Sequence, residues 1–485
     1  MARRKNSPME ASLPTSAAAN VAPRPINAAT GPTANAPSIT LPLRFMIAGL
    51  TALSMGVIWL IAQPSVLTTY HYNQNVIALT HLFVLGWICT VVMGAMYQLV
   101  PVALETKLFS ERLAKWQFVF HVVGFVGMVW MFRRWNMTQV GHFGSVLTFG
   151  VALFIYNLIR TLARVPKWNV IATGVASALG WLTFAVLAGL SLAAAKISFD
   201  PDATPNETVV AIITGISRVV RHFEPLNAMH AHAHLGAVGF FIMLIVGVSY
   251  KLVPMFMLSE IQNHRRALTS IILLNLGLIG TFFTILYRSP LKPAFALLVM
   301  AAFIVYGWEL TAMVRARKRR PIDWGIRYFL MAVALLAPLS ILGVVLSWPR
   351  LPLNAFTGQL ENVYGFLGLI GVISFAIMGM LYKIVPFLVW FGVYSRHIGK
   401  AKVPALAEMY SARWQAVGYW TFLAGLVITI AATLRTNPLC LRIGGGFLAV
   451  SVASLLVNVA SVIRHFFHPQ LRPFAAPAPA VGNRL

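Results

Sequence analysis

Twelve stretches of about 20 apolar residues, in series between residues 43 and 463, constrain this chain more than any other feature. A helix rises about 1.5 Å per residue, so about 20 residues cross the hydrocarbon core of a bilayer. The stretches lie near 43–64, 76–100, 116–132, 140–159, 170–195, 226–253, 267–287, 292–314, 325–348, 361–387, 412–434 and 441–463. Inside a bilayer the backbone finds no water to bond, so segments of this kind must satisfy themselves as helices. The expected fold class is therefore all-α and integral to a membrane. Composition agrees: 58% of the 485 residues are hydrophobic and only 10% are charged, which excludes a soluble globular domain.

Charge orients the spans. Lys and Arg number 38 against 12 Asp and Glu, a formal +26. In a soluble chain that excess would point to nucleic acid; here the basic residues sit between apolar runs, where they mark the cytoplasmic side. With the N-terminus inside, the inner loops hold Lys107, Arg112 and Lys115, then Arg160, Arg164 and Lys167, then Arg265 and Arg266, the run Arg315 to Arg320, and finally Arg396, Lys400 and Lys402. The outer loops are poorer in charge, and the loop at 197–225 carries Asp200, Asp202, Glu207 and Glu224. The expectation is an inner (plasma) membrane protein of bacterial type with both termini in the cytoplasm. Residues 1–40 and 469–485, poor in large apolar groups, read as disordered tails. Cys89 and Cys440 have no partner nearby in sequence and are expected as small buried hydrophobes.

A repeat runs through the chain. His81, Gly86, Gly94, Tyr97 and Pro101 recur as His234, Gly239, Gly247, Tyr250 and Pro254, and again as Phe366, Gly371, Gly379, Tyr382 and Pro386. The copies fall in spans 2, 6 and 10, so the simplest architecture is three pseudo-threefold four-helix units, near 41–195, 208–314 and 325–465. The glycines either let neighbouring backbones approach closely or leave room for a flat cofactor. The repeat histidines stand about 24 Å before the tyrosines along each helix, which places them near the outer surface.

Four histidines gather on two repeat helices: His81, and His230, His232 and His234 in one run. An ionisable side chain within a span is costly and marks a functional position, and neutral imidazole ligates iron, copper and zinc. Positions i and i+4 share a helix face, so His230 and His234 point together while His232 points about 200° away. His81 and His234 occupy equivalent repeat positions and are the expected pair of axial ligands for a haem between spans 2 and 6. Each of the four also reads as a polar side chain bonded to a backbone carbonyl or to lipid headgroups. His121 and His142 are lesser candidates, and His71 reads as a residue at a span end. Glu309 serves either a proton path or the basic loop beside it. Gln98, Lys251 and Lys383 are expected to reach the inner interface.

These marks resemble subunit I of the haem-copper oxidases and nitric oxide reductases, over roughly residues 43–465. The specific ones are the run Thr80 to Trp87 with Tyr97-Gln98-Leu99-Val100-Pro101, and Ala231 to Phe240 with Tyr250-Lys251-Leu252-Val253-Pro254. The chain is also similar to the twelve-helix haem- and copper-associated membrane proteins of nitric oxide stress response. The resemblance maps the low-spin haem ligand of span 2 onto His81, and the copper ligand of span 6 onto the region of His230 to His234. It implies an oxidoreductase of electron transport with haem and, less directly, copper; with no c-type attachment motif in the sequence, the haem expected is haem b. It also implies cytochrome c or a quinol as electron donor, and respiratory-complex subunits and membrane lipid as partners. Two departures matter: residues 267–287 hold no histidine pair, and the span-10 repeat position is Phe366. A transporter, or a non-catalytic partner of a respiratory complex, stays open as an alternative.

Overall fold

The computed structural model describes residues 37–197, 206–319 and 321–472; most of both expected tails, and the acidic residues Asp200 and Asp202, lie outside them. Among the described residues twelve helices are long and apolar enough to cross a membrane. They are α1 (Thr40–Ala62), α2 (Gln74–Ala103), α3 (Glu111–Arg134), α4 (Met137–Leu162), α5 (Val170–Ala194), α6 (Pro225–Met257), α7 (His264–Leu286), α8 (Lys292–Arg315), α9 (Trp324–Leu346), α10 (Ala355–His397), α11 (Ala412–Leu434) and α12 (Pro438–Phe467). The protein is an all-helical integral membrane protein.

Short polar side chains start the helices. Asn73, Ser110, Asn136, Asn169, Asn263, Asp323, Asn354 and Asn437 each accept a backbone N–H from the first turn that follows, satisfying donors that no earlier carbonyl can reach. An additional helix, Glu207–Val220, occupies part of the expected loop between α5 and α6. Its Val209, Ile212 and Val219 are exposed, the pattern of a helix that lays an apolar face on a lipid surface.

The packing follows the repeat. The four-helix units are α1–α4, α5–α8 and α9–α12, so the expected bounds 41–195 and 208–314 are corrected: α5 (Val170–Ala194) packs on α6 and opens the second unit. Within each unit the first helix packs on the second and the third on the fourth, and the last helix of each unit packs on the first of the next: α4 on α5, α8 on α9, and α12 on α1. That closes a ring. The repeat helices α2, α6 and α10 sit innermost, 61, 78 and 72% buried over their apolar windows, where no other span exceeds 50%.

The repeat glycines serve close helix crossing. A Cβ built on Gly94 would stand 2.4 Å from Phe45 of α1, one on Gly247 2.9 Å from the Cα of Gly174 in α5, and one on Gly379 2.6 Å from the Gly325 carbonyl in α9. Each unit thus seats its inner helix against its first helix at the same position, and the choice left open by the sequence falls to packing at these three sites.

The three inner helices share a second device. Directly after His81, His234 and Phe366 the helix widens into a π-helix, Leu82–Cys89, Leu235–Ile242 and Leu367–Ser374. The wider ladder leaves carbonyls in need of partners. Thr90 Oγ1 donates to the Leu85 carbonyl at 2.8 Å and Ser374 Oγ to that of Leu369 at 2.7 Å. Trp87 Nε1 then donates to Ser374 Oγ at 3.0 Å, tying α2 to α10 at the centre of the ring.

Candidate functional site

The four sequence-predicted histidines stand at the start of the inner helices, just before or at the π-helical segments. His81 donates its Nδ1–H to the Ile77 carbonyl at 2.8 Å, one turn back, and its ring lies 4.6 Å from that of Phe132. His234 does the same to the His230 carbonyl, also at 2.8 Å. In both, Nδ1 is committed as a donor and the acceptor lone pair is left on Nε2. That is the arrangement in which a metal-binding imidazole is held, with its second nitrogen fixed by a carbonyl. His234 Nε2 meets the Tyr364 hydroxyl of α10 at 3.3 Å.

The helix places the other two as its period requires. His232 turns to the opposite face, with its Cε1 2.9 Å from a Cβ built on Gly189 of α5. It lies within electrostatic range of His81, and its Nδ1 is buried without a hydrogen-bond partner. Four residues on, a Cβ at Gly236 would meet nothing within 4 Å, so space remains beside this face of a largely buried helix. His81 and His234, expected to share one iron, are turned to different neighbours, Phe132 and Tyr364.

His230 enters a cluster that sequence reasoning missed. Its Nε2 lies 2.8 Å from His71 Nε2, with the rings stacked at 4.9 Å, and Glu361 Oε2 stands 3.7 Å from His71 Nδ1. One ligand atom from each of the three lies within 4.8 Å of the others. Burial pushes the His71 imidazole down to about 4, so it is neutral near pH 7. His71 read as a span-end residue, and Glu361 carried no motif; the excess of polar groups at the start of α10 (Gln359, Glu361, Asn362) was the available signal.

Other polar residues resolve into structural roles. His121, fully buried, places Nε2 2.9 Å from Thr90 Oγ1 and 3.1 Å from the Leu85 carbonyl, so it holds α3 to the wide turn of α2. Glu309 accepts from the backbone of Gln262 and Asn263 at 2.7 and 2.9 Å and pairs with Arg266 at 2.8 Å; it belongs to the basic loop. Gln98 is 4% exposed and therefore buried rather than at the interface, and Lys383 pairs with Asp323 at 2.6 Å. Cys89 is buried, whereas Cys440, at the open start of α12, is only partly so.

Two comparisons bear on identity. No curated protein matches the chain. Residues 33–141, less than a quarter of the chain, match the family model of cytochrome c and quinol oxidase polypeptide I. The matched stretch holds His71, His81 and His121 and ends before the histidines of α6. With its twelve-helix architecture, the chain is a divergent membrane protein similar to subunit I of the haem-copper oxidases.

Proposed function

We propose that this protein is a haem-binding redox protein of a bacterial inner membrane, with His81 and His234 as iron ligands. The observation that carries the reading is their common geometry. Two repeat-equivalent imidazoles each spend Nδ1–H on the carbonyl four residues earlier and offer Nε2. The open space at Gly236 lies on the face of His232, opposite to that of His234, and belongs to the second assignment given below. A b-type haem held there supplies one-electron oxidation and reduction, in electron transfer or in chemistry on oxygen or nitric oxide.

The chain's own contribution is to fix and shield those ligands. Ile77 and the His230 carbonyl lock the ring tautomers, Phe132 packs on the His81 ring, and Tyr364 holds the His234 nitrogen until a ligand replaces it. A second assignment draws on the orphaned Nδ1 of His232 and its nearness to His81: His232 then takes the place of His234. A cytochrome c or a quinol as donor, respiratory subunits as partners, and cytoplasmic termini belong to the same reading, the last supported by the basic loops. Copper fits the imidazole donors by chemistry.

A reduced-minus-oxidised absorption spectrum of the purified protein, with a pyridine haemochrome assay, tests it. A low-spin b-type spectrum is expected. His81→Ala should abolish or convert it; of His232→Ala and His234→Ala, the one that does the same identifies the second ligand. A colourless protein made with ample haem supply overturns the proposal.

A further inference from the structure

We propose that His71, His230 and Glu361 form a binding site for a divalent first-row transition ion, separate from the iron ligands. The three residues come from three places in the chain, the segment before α2, the first turns of α6 and the first turns of α10. They converge because α10 clamps the loop that carries His71. Gln359 Nε2 donates to the Thr68 carbonyl at 2.8 Å, and Asn362 Nδ2 donates to those of Leu67 and Thr69 at 3.2 and 3.0 Å. These two amides flank Glu361, so the turn that presents the carboxylate also fixes the backbone two residues before His71. Tyr70 packs on the His71 ring, at 4.4 Å. A site held by such a supporting shell is preorganised.

The polar groups are incompletely satisfied as they stand. Only one proton can lie between the two Nε2 atoms, and His71 Nδ1 is buried with no hydrogen-bond partner, 3.7 Å from the carboxylate. Buried polar groups left in this state cost stability. An ion at about 2.0–2.1 Å from each Nε2 would satisfy both lone pairs at once, and Glu361, which now stands nearest His71 Nδ1, joins it by rotation of its side chain. Tetrahedral ligation at that distance needs the nitrogens about 3.3 Å apart, an opening of about half an ångström from the 2.8 Å observed, which side-chain rotation supplies.

The donor set selects the ion class. Two imidazoles and one carboxylate suit zinc, copper, iron(II) or nickel, and the absence of thiolate and the scarcity of oxygen donors disfavour both soft monovalent ions and calcium or magnesium. Three protein ligands leave a position open to water or a small molecule. Lys292, at the start of α8, is within electrostatic range of Glu361 and is the cation that competes for it. The ion would also be coupled to the iron ligands through the chain, because the His230 carbonyl receives the His234 Nδ1–H.

The test is a Cu(II) titration of the full-length purified protein after chelator treatment, followed by binding stoichiometry and electron paramagnetic resonance. One tight equivalent is expected, with hyperfine splitting from two imidazole nitrogens, and His71→Ala and Glu361→Gln should each weaken it at least about tenfold. Glu361→Gln preserves side-chain size, and its metal-free melting temperature, measured beside the wild type, reports whether the fold is intact. His71→Asn serves the same purpose at the imidazole. The proposal is overturned if the wild type shows no tight equivalent, or if folded variants bind as it does. Haem content measured on the same samples separates this result from the iron assignment, since loss of the second ion should leave the haem bound in unchanged amount.

Discussion

Two glycine-to-alanine substitutions on one helix should have opposite effects, and the comparison tests how the inner helices are built. At Gly247 the added Cβ would lie 2.9 Å from the Cα of Gly174, and the reverse substitution at Gly174 would put its Cβ 2.6 Å from the Gly247 Cα. Both obstacles are backbone, so no rotamer change relieves them. An ordinary contact begins near 3.4 Å, so α5 and α6 must separate by about half an ångström to accept Gly247→Ala. Overpacking of this kind costs about 1–3 kcal/mol, offset by up to about 1 kcal/mol of helix propensity gained from alanine. The net expectation for Gly247→Ala is a loss of about 0–2 kcal/mol. At Gly236 nothing stands within 4 Å, so Gly236→Ala keeps the propensity gain alone. Thermal unfolding of both proteins, purified in the same detergent without haem, should therefore separate them by about 1–3 kcal/mol, with Gly247→Ala the weaker. Equal stability of the two variants would refute the claim that the repeat glycine exists for helix contact. A further step uses Gly236→Leu: if haem occupies the open space beside His232, the larger side chain should lower haem content while leaving the haem-free melting temperature at or above that of the wild type.

Three other substitutions follow from single contacts. Thr90→Val removes the hydroxyl shared by the Leu85 carbonyl and His121, and differential melting should show a loss of about 1–3 kcal/mol. Glu309→Gln leaves Arg266 without its buried partner; a loss of about 2–4 kcal/mol is expected by the same measurement, and an unchanged melting temperature would show that the basic loop does not depend on this carboxylate. Tyr364→Phe frees His234 Nε2 of the hydroxyl at 3.3 Å, so haem titration of the haem-free protein should show affinity equal to or above that of the wild type, whereas weaker binding would assign Tyr364 a supporting role.

Most of the architecture was legible because a bilayer makes it so. Hydropathy alone placed all twelve spans, since each must carry its own apolar surface and satisfy its own backbone. The repeat was legible as matched spacing, and its structural meaning is a ring of three units. The helix Glu207–Val220 was missed for the opposite reason: it lies on a surface, and its longest apolar run, Val209 to Ile213, is far shorter than a membrane span. The π-helical segments were invisible because Leu82–Cys89 and Leu367–Ser374 contain nothing that an α-helix would refuse; what fixes them is Thr90, Ser374, His121 and Trp87 closing bonds across helices. The His71 cluster was missed because its members are 159 and 290 positions from His71, and only the tertiary fold brings them together.

The position of the π-helices ties these observations to chemistry. Each begins at the residue after the first repeat position, so His81, His234 and Phe366 are the last residues of an ordinary helix before the ladder widens. For His81 and His234 the residue four back still has a regular carbonyl to receive Nδ1–H, while the backbone ahead is rotated away from the α-helical course. An imidazole at that junction is thus fixed from behind and faces a helix that has turned aside. The third unit keeps the same junction but fills it with a phenyl ring, which cannot ligate. The ring therefore presents two imidazole positions and one apolar one, and at these junctions the units differ in the identity of a single residue rather than in the backbone. Phe366→His should on this argument add a third imidazole at an equivalent junction, with Asn362, four residues earlier, supplying the carbonyl. A change in the haem spectrum or stoichiometry of that variant would show that the junction itself is what prepares a histidine to bind metal. An unchanged spectrum in a folded variant would show that α10 lacks something beyond the imidazole.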